Sequence, residues 1–191
     1  MPLIDNATLL VGAGNYYTAP VGTAIPDLLT EEPPSPWDNM GHTDLEEVLS
    51  IASEGGEQTV IGTLQNKNLR VRIAPRSETI AVPLQQFDIG ALRLYYGSNA
   101  VDVNGDGTLL GVPQTPAPTE RAFLAIFLDG ETAFAIYAPK ASIFRGSDLE
   151  IADTESLATL PLTVTPLVHG TNKWAYAVTP LAQVAAPGDG A

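Results

Sequence analysis

Apolar and polar positions alternate along most of the chain, and that alternation predicts strands. The clearest case is Glu120 to Phe144. Ala122, Leu124, Ile126 and Leu128 share one face and Phe123, Ala125 and Phe127 the other, so both faces are apolar and the strand should be covered on both sides. Asp129-Gly130 predicts a hairpin turn, after which Thr132 to Ala138 returns with Phe134 and Ile136 opposite Ala133, Ala135 and Tyr137. Asn68 to Ala74 sets Leu69, Val71 and Ile73 against Asn68, Arg70 and Arg72 and reads as a half-buried strand. His42 to Ser53 alternates less cleanly; with Glu54 to Glu57 as a turn and Gln58 to Gln65 as a β-rich run, it predicts a hairpin of 42–53 with 58–65. Ala7 to Val11, Gly12, Gly14 and Tyr16 to Thr18 suggest a strand broken by a glycine bulge. Leu157 to Val168 and Trp174 to Thr179 close the pattern, with Pro161 and Pro166 marking the first of these as an edge or bulged strand.

One stretch breaks the period of two. In Glu78 to Gly97, a β-branched run through Val82 leads into Pro83, a good first helical residue. Leu84, Phe87, Ala91, Leu92 and Tyr95 then recur at helical spacing. The prediction is one helix from Pro83 onward with Phe87 and Leu92 buried, and Gly90 an expensive interior residue. The fold class expected is therefore mainly β, a β-sandwich or partial barrel with one flanking α-helix. A single domain over 1–184 carries long loops at 20–41 and 97–118, with a flexible tail at 185–191.

The first of these loops contains five prolines between Pro20 and Pro36, which deny it helix or central strand. It nevertheless holds Leu28, Leu29 and Trp37, which a linker would not need, and we expect an interaction loop rather than one folded back on its own core.

Charge narrows the function. Nine Lys and Arg against 22 Asp and Glu give a net charge of −13, which excludes phosphate-wrapping nucleic-acid binders. There is no Cys, so disulfides and thiolate metal sites are impossible, and two His leave metal catalysis short of ligands. The first ten residues lack the basic region of a signal peptide, and no apolar run is long enough for a membrane helix, so neither secretion nor membrane insertion is expected.

Three motifs invite chemistry. The GAG at 12–14 lacks a third glycine and a following helix, and so does not make a dinucleotide fingerprint. Asp102, Asn104, Asp106 and Gly107 match the opening positions of a calcium loop, but Pro113 stands where the bidentate Glu belongs; turn formation by the NG and DG pairs explains them more simply. His42 and His169 have no nucleophile or paired ligand nearby in sequence, so no catalytic residue, cofactor or enzyme activity is assigned. The alternative kept open is a calcium- or glycan-binding β-sandwich module using Asp102 to Gly107 with Tyr95 and Tyr96.

The order of pieces resembles the major tail tube proteins of long-tailed, non-contractile bacteriophages. The resemblance rests on LLVGAGNYYTAPVGTAIP, then PSPWDNMGHTD, then TIAVPLQQFDIGALRLYYG, and finally ERAFLAIF, YAPKASI and LATLPLTVTPL, which together span nearly the whole chain. It implies a β-sandwich with one helix, six copies to a ring, and rings stacked into a tube lined by a shared β-barrel through which DNA passes without specific binding. Many relatives add a C-terminal immunoglobulin-like domain, which this chain is expected to lack. The implied partners are other copies of the chain and tail proteins such as tape measure, terminator and distal tail proteins, with assembly in the host cytoplasm and residence in the virion tail. A tail terminator or a secretion-system tube would share these features. By position, the subunit-contact candidates are Leu28, Leu29, Trp37, Asp38, Glu46, Glu47, Glu54, Glu57, Arg70 and Arg72. The two arginines either pair with a neighbour's carboxylates or are solvated.

Overall fold

The structure, a computed structural model, describes residues 3–4, 7–27, 29–151, 154 and 156–183. At its centre lies the expected hairpin, formed by the strands Thr119–Asp129 and Thr132–Arg145. In chain order the elements are β1 (Ala13–Ala19), β2 (Asp38–Asn39), β3 (Ser50–Gly55), β4 (Gln58–Ile61), β5 (Arg70–Ile73) and β6 (Arg76–Leu84). Then come α1 (Ile89–Tyr96), β7 (Val101–Asp102), β8 (Leu110–Gly111), β9 (Thr119–Asp129), β10 (Thr132–Arg145), β11 (Leu160–Pro166), β12 (Ala177–Val178) and β13 (Ala182–Gln183). Among the described residues the fold is mainly β with this one helix.

The alternation in β9 sorts its side chains into two separate cores. Phe123, Ala125 and Phe127 join Tyr16, Ile80, Val82, Leu84, Ile143 and Leu160 in the larger cluster, while Ala122, Leu124 and Ile126 join Tyr17, Trp37, Ala135 and Tyr137 in the other. Both faces of the strand are covered, as its apolar pattern requires.

The main sheet runs β2-β1-β9-β10-β11-β6-β3, all antiparallel, with β12 and β13 pairing with the first half of β10. A register shift between Ala138 and Ala141 divides β10, so that its second half pairs with β11 instead. At the shift the carbonyls of Pro139 and Lys140 accept from the N–H groups of Gly22 and Leu167, both at 2.8 Å. A flat sheet would hold β1 and β6 about 19 Å apart, at roughly 4.8 Å per strand. Instead the Tyr16 hydroxyl donates to the Val48 carbonyl just before β3, and residues 38–44 run from β1 to a Thr43–Leu84 bridge beside β6. The sheet is therefore strongly curled, but it does not close into a barrel.

Several sequence expectations are corrected. The helix is shorter and later than the apolar spacing suggested, because Pro83 and Leu84 belong to β6 and pair with Pro161 and Leu160. Asp88 is the N-cap, its carboxylate accepting from the Ala91 N–H at 2.9 Å, and Ala91 and Tyr95 are the buried helical residues. Phe87, before the cap, is 40% exposed, and Leu92 only packs against the core from its margin. Gly90 falls in the first turn, where helix propensity matters little. Pro161 lies inside the sheet, not at an edge. Opposed across the ladder, Pro161 and Pro83 turn their carbonyls away from each other, to the N–H groups of Gly146 and Asp44. The donor each proline lacks thus falls at the end of the neighbouring strand and not between the two prolines, so Pro83 and Pro161 take nothing from each other. At the N-terminus the strand is Ala13–Ala19, without Ala7–Val11 and without a bulge; a Cβ on Gly14 would come within 2.9 Å of the Phe127 ring. The expected strand at 174–179 shortens to Ala177–Val178. The tail at 185–191 lies outside the described residues.

The largest correction concerns the expected hairpin of 42–53 with 58–65. β3 pairs with β6, and β4 with β5. Gly55 and Gly56 both have positive φ, and their ladder continues through Gly56 N–H to Pro75 O at 3.2 Å and Ala74 N–H to Glu57 O at 2.9 Å. Residues 50–81 form one long, bent, two-stranded arm rather than a turn between two neighbouring strands.

Candidate assembly surfaces

Every residue of β4 and β5 is exposed. The expectation of a half-buried strand at 68–74 is therefore not met within one copy: Leu69 is 52% exposed, Val71 54% and Ile73 67%. The pairing Val60↔Val71 and Gln58↔Ile73 gathers Val60, Val71 and Ile73 on one face, and Ile61↔Arg70 and Thr59↔Arg72 put both arginines, with Ile61, on the other. This arm presents backbone edges and an apolar face to water, the arrangement proteins otherwise avoid unless another chain covers it.

The base of the arm is firmly set. Arg76 pairs with Glu78, whose side chain is largely buried, and a hydrogen bond to Glu78 raises the Tyr176 hydroxyl's pKa, with burial adding to the effect. A Cβ on Gly55 would meet the Pro75 carbonyl oxygen at 2.5 Å, so the bend at the arm's root depends on glycine.

The proline-rich loop behaves differently from its expectation. Trp37 is buried against the Tyr137 ring, with centroids 6.2 Å apart, and Leu29 and Ile25 pack into the same cluster. The Tyr137 hydroxyl donates to the Thr23 carbonyl at 2.6 Å and the Tyr17 hydroxyl to the Glu31 carbonyl. Burial, with the nearby Glu31 charge, pushes the Tyr17 pKa up to about 12, which keeps that donor protonated. The loop covers the second core, on the side where β9 is apolar, and folds back on its own chain. Leu28 lies outside the described residues. Asp38, at the loop's end in β2, pairs with Arg121 at 3.1 Å.

The other contact candidates fall along the arm or at its foot. Glu46 and Glu47 are exposed, their N–H groups held by the Asp44 carboxylate at 2.7 and 3.1 Å. Glu54 and Glu57 are exposed around the bend, and Arg70 and Arg72 stand further out. The structure thus separates Leu29, Trp37 and Asp38 from the remaining six described candidates. Sequence reasoning missed Val60, Ile61 and Leu64, which are 52%, 49% and 91% exposed. Their signal was the pairing of 58–61 with 70–73, invisible while 58–65 was matched to the preceding strand.

The calcium-like loop is a tight hairpin end between β7 and β8. Asp102 accepts from the N–H groups of Gly105 and Gly107 at 2.9 and 2.8 Å, and Asp106 from the Thr108 N–H at 3.0 Å. Hydrogen bonds from the Thr108 side chain, then from its backbone, hold the Asp106 carboxyl below its ordinary pKa. Tyr95, offered as a surface contact in the alternative reading, is buried, and its hydroxyl donates to the Ser147 carbonyl at 2.8 Å. Among the described residues no three His, Asp or Glu side chains are grouped to hold a metal ion.

The curled antiparallel sheet has open ends, and it carries an arm whose outer strands, β4 and β5, pair only with each other among the described residues. The chain belongs to the phage tail tube protein family, whose model matches residues 1–186. It is 33% identical over 177 residues to the major tail protein Gp23 of Mycobacterium phage D29, an alignment covering 86% of this chain and 87% of that protein. The same figures hold for the major tail protein Gp23 of Mycobacterium phage L5.

Proposed function

We propose that this chain is the repeating subunit of a phage tail tube: copies join into rings, six to a ring as the sequence resemblance implies, and the rings stack into a conduit for DNA. The reading is carried by the outer part of the arm, β4 and β5, every residue of which is exposed, in a chain that belongs to the tail tube family. Exposed strands with an apolar face cost nothing in an assembled tube, because neighbouring copies cover them. The net charge of −13 per copy adds up over a ring, and a lumen carrying part of it repels DNA phosphates so that the duplex slides without sticking. The chain has a structural role, not a catalytic one, and resides in the virion tail. Its partners are itself first, then the tape measure, terminator and distal tail proteins that nucleate, gauge and close such a tube.

Negative-stain electron microscopy of the purified chain over rising concentration tests this reading. Rings or tubes with a regular axial repeat are expected. Persistent monomers at every concentration, including in the presence of the phage's tape measure and distal tail proteins, would sink it.

A further inference from the structure

Charge is divided unevenly between the arm and the rest of the chain. Residues 58–77 hold four of the nine cations, Lys67, Arg70, Arg72 and Arg76, and no carboxylate at all. Arg76 is taken by Glu78, but among the described residues Lys67, Arg70 and Arg72 make no ion pair. The outer part of the arm, 58–77, is therefore cationic on an acidic protein, while Glu54, Glu57 and Glu78 lie nearer its root.

At its foot lies a surface of the opposite kind. Glu46, Glu47, Val48, Leu49, Ala81 and Pro83 are among the residues lining an open groove of about 610 Å³, which brings two carboxylates together with apolar side chains. Neither glutamate is ion-paired among the described residues. The arm offers the matching halves: Val60, Val71 and Ile73 on one face, Arg70 and Arg72 on long stems that reach around it. In its own chain the arm is not seated there: every residue of β4 and β5 is exposed, and Ile61 lies eleven residues on from Ser50, up to about 36 Å along an extended strand.

We propose that the arm of one copy docks in the groove formed by Glu46, Glu47, Val48 and Leu49 of a second copy, with Arg70 and Arg72 paired to the two glutamates. The proposal rests on the tube reading above and adds to it the surface, the polarity and the chemistry of contact. Two cationic arms repel, so a symmetric arm-to-arm pair is disfavoured and the contact is head-to-tail, which generates rings or filaments rather than closed dimers.

Charge swapping tests this on the full chain by sedimentation velocity, with electron microscopy of the products. Arg70→Glu with Arg72→Glu is expected to raise the concentration needed for association about tenfold or more, and Glu46→Lys with Glu47→Lys to do the same. An equimolar mixture of the two variants restores association, because each arm then meets a groove of opposite charge, and so does the fourfold variant alone. Thermal melting shows whether each variant is folded; the neutral pair Arg70→Gln with Arg72→Gln serves as the milder version and is expected to give the same direction of change. Native-like association of either double reversal, or failure of both the mixture and the fourfold variant to recover, overturns the docking proposal while leaving the tube reading intact. No association of the native chain with itself under any condition overturns both.

Discussion

Two antiparallel hairpins of this molecule, β9–β10 and β4–β5, are built from similar residues and meet opposite fates. Phe123, Leu124, Ala125 and Ile126 are almost completely buried, whereas Val60, Val71 and Ile73 are more than half exposed. The difference lies in their neighbours. β9 is flanked by β1 and β10 and sandwiched between the large core and the proline-rich loop. The arm hairpin pairs only with itself. An apolar strand therefore reports a need for cover, and in one case the chain supplies the cover while in the other nothing among the described residues does.

The comparison is broken most forcefully at the core. Phe123→Ala removes a fully buried ring and should cost about 3–5 kcal/mol, while Val71→Ala in the arm should leave the unfolding free energy of the monomer within about 0.5 kcal/mol. Denaturant titration of both variants measures this directly. A large loss of monomer stability in Val71→Ala would mean that the arm is buried within its own chain.

Val71→Asp isolates association from folding. Monomer melting should stay close to native, whereas rings and tubes should be lost, because a carboxylate would be buried against a neighbour. Tubes of normal yield from this variant would show that the apolar face of the arm makes no contact.

Smaller effects sharpen the account of the helix. Asp88→Ala removes the N-cap and is expected to cost about 1 kcal/mol, whereas Phe87→Ala, at an exposed position, costs less than a buried Phe would. The Asp88 carboxyl is held below its ordinary pKa, first by the Ala91 N–H and then by the Gln86 side chain. Its folded value lies below its unfolded one, so the stabilisation is complete above the unfolded pKa and drains away as pH falls through the folded value. Asp88→Asn keeps the cap, and its melting temperature should lose this increment of acid sensitivity. An unchanged acid limb would remove Asp88 from the account. An effect of similar size is expected of Tyr95→Phe, which deletes the bond to Ser147 and costs about 0.5–1.5 kcal/mol.

The legible parts of the fold were those in which one short segment carries its own evidence. The two-faced apolar pattern of 120–144 gave the central hairpin and its turn at Asp129-Gly130, and the break in period between 78 and 97 announced a helix. Its start was misplaced because Pro83 suits a first helical turn and an interior strand equally well when the opposing residue is unknown. Pairing was less legible: Gly55-Gly56 reads as a hairpin turn, yet the chain continues through it, and only the match of 58–61 with 70–73 shows why. Burial was misjudged in opposite directions for Trp37 and Val71, since neither residue's neighbours in space are its neighbours in sequence.

By itself, then, the sequence determined a mainly β subunit, acidic, without cysteine, with one helix and an ordered succession of motifs sufficient to place its family. Alternation and punctuation are local properties, and they are written into consecutive residues. Only the tertiary structure decided which strands are neighbours, that the sheet curls until Tyr16 touches Val48, and that the loop at 20–41 is cover while the outer part of the arm, β4 and β5, is exposed. Those outcomes depend on long-range register, where distant segments compete for the same backbone donors and the same apolar surface, and no window of consecutive residues contains that competition.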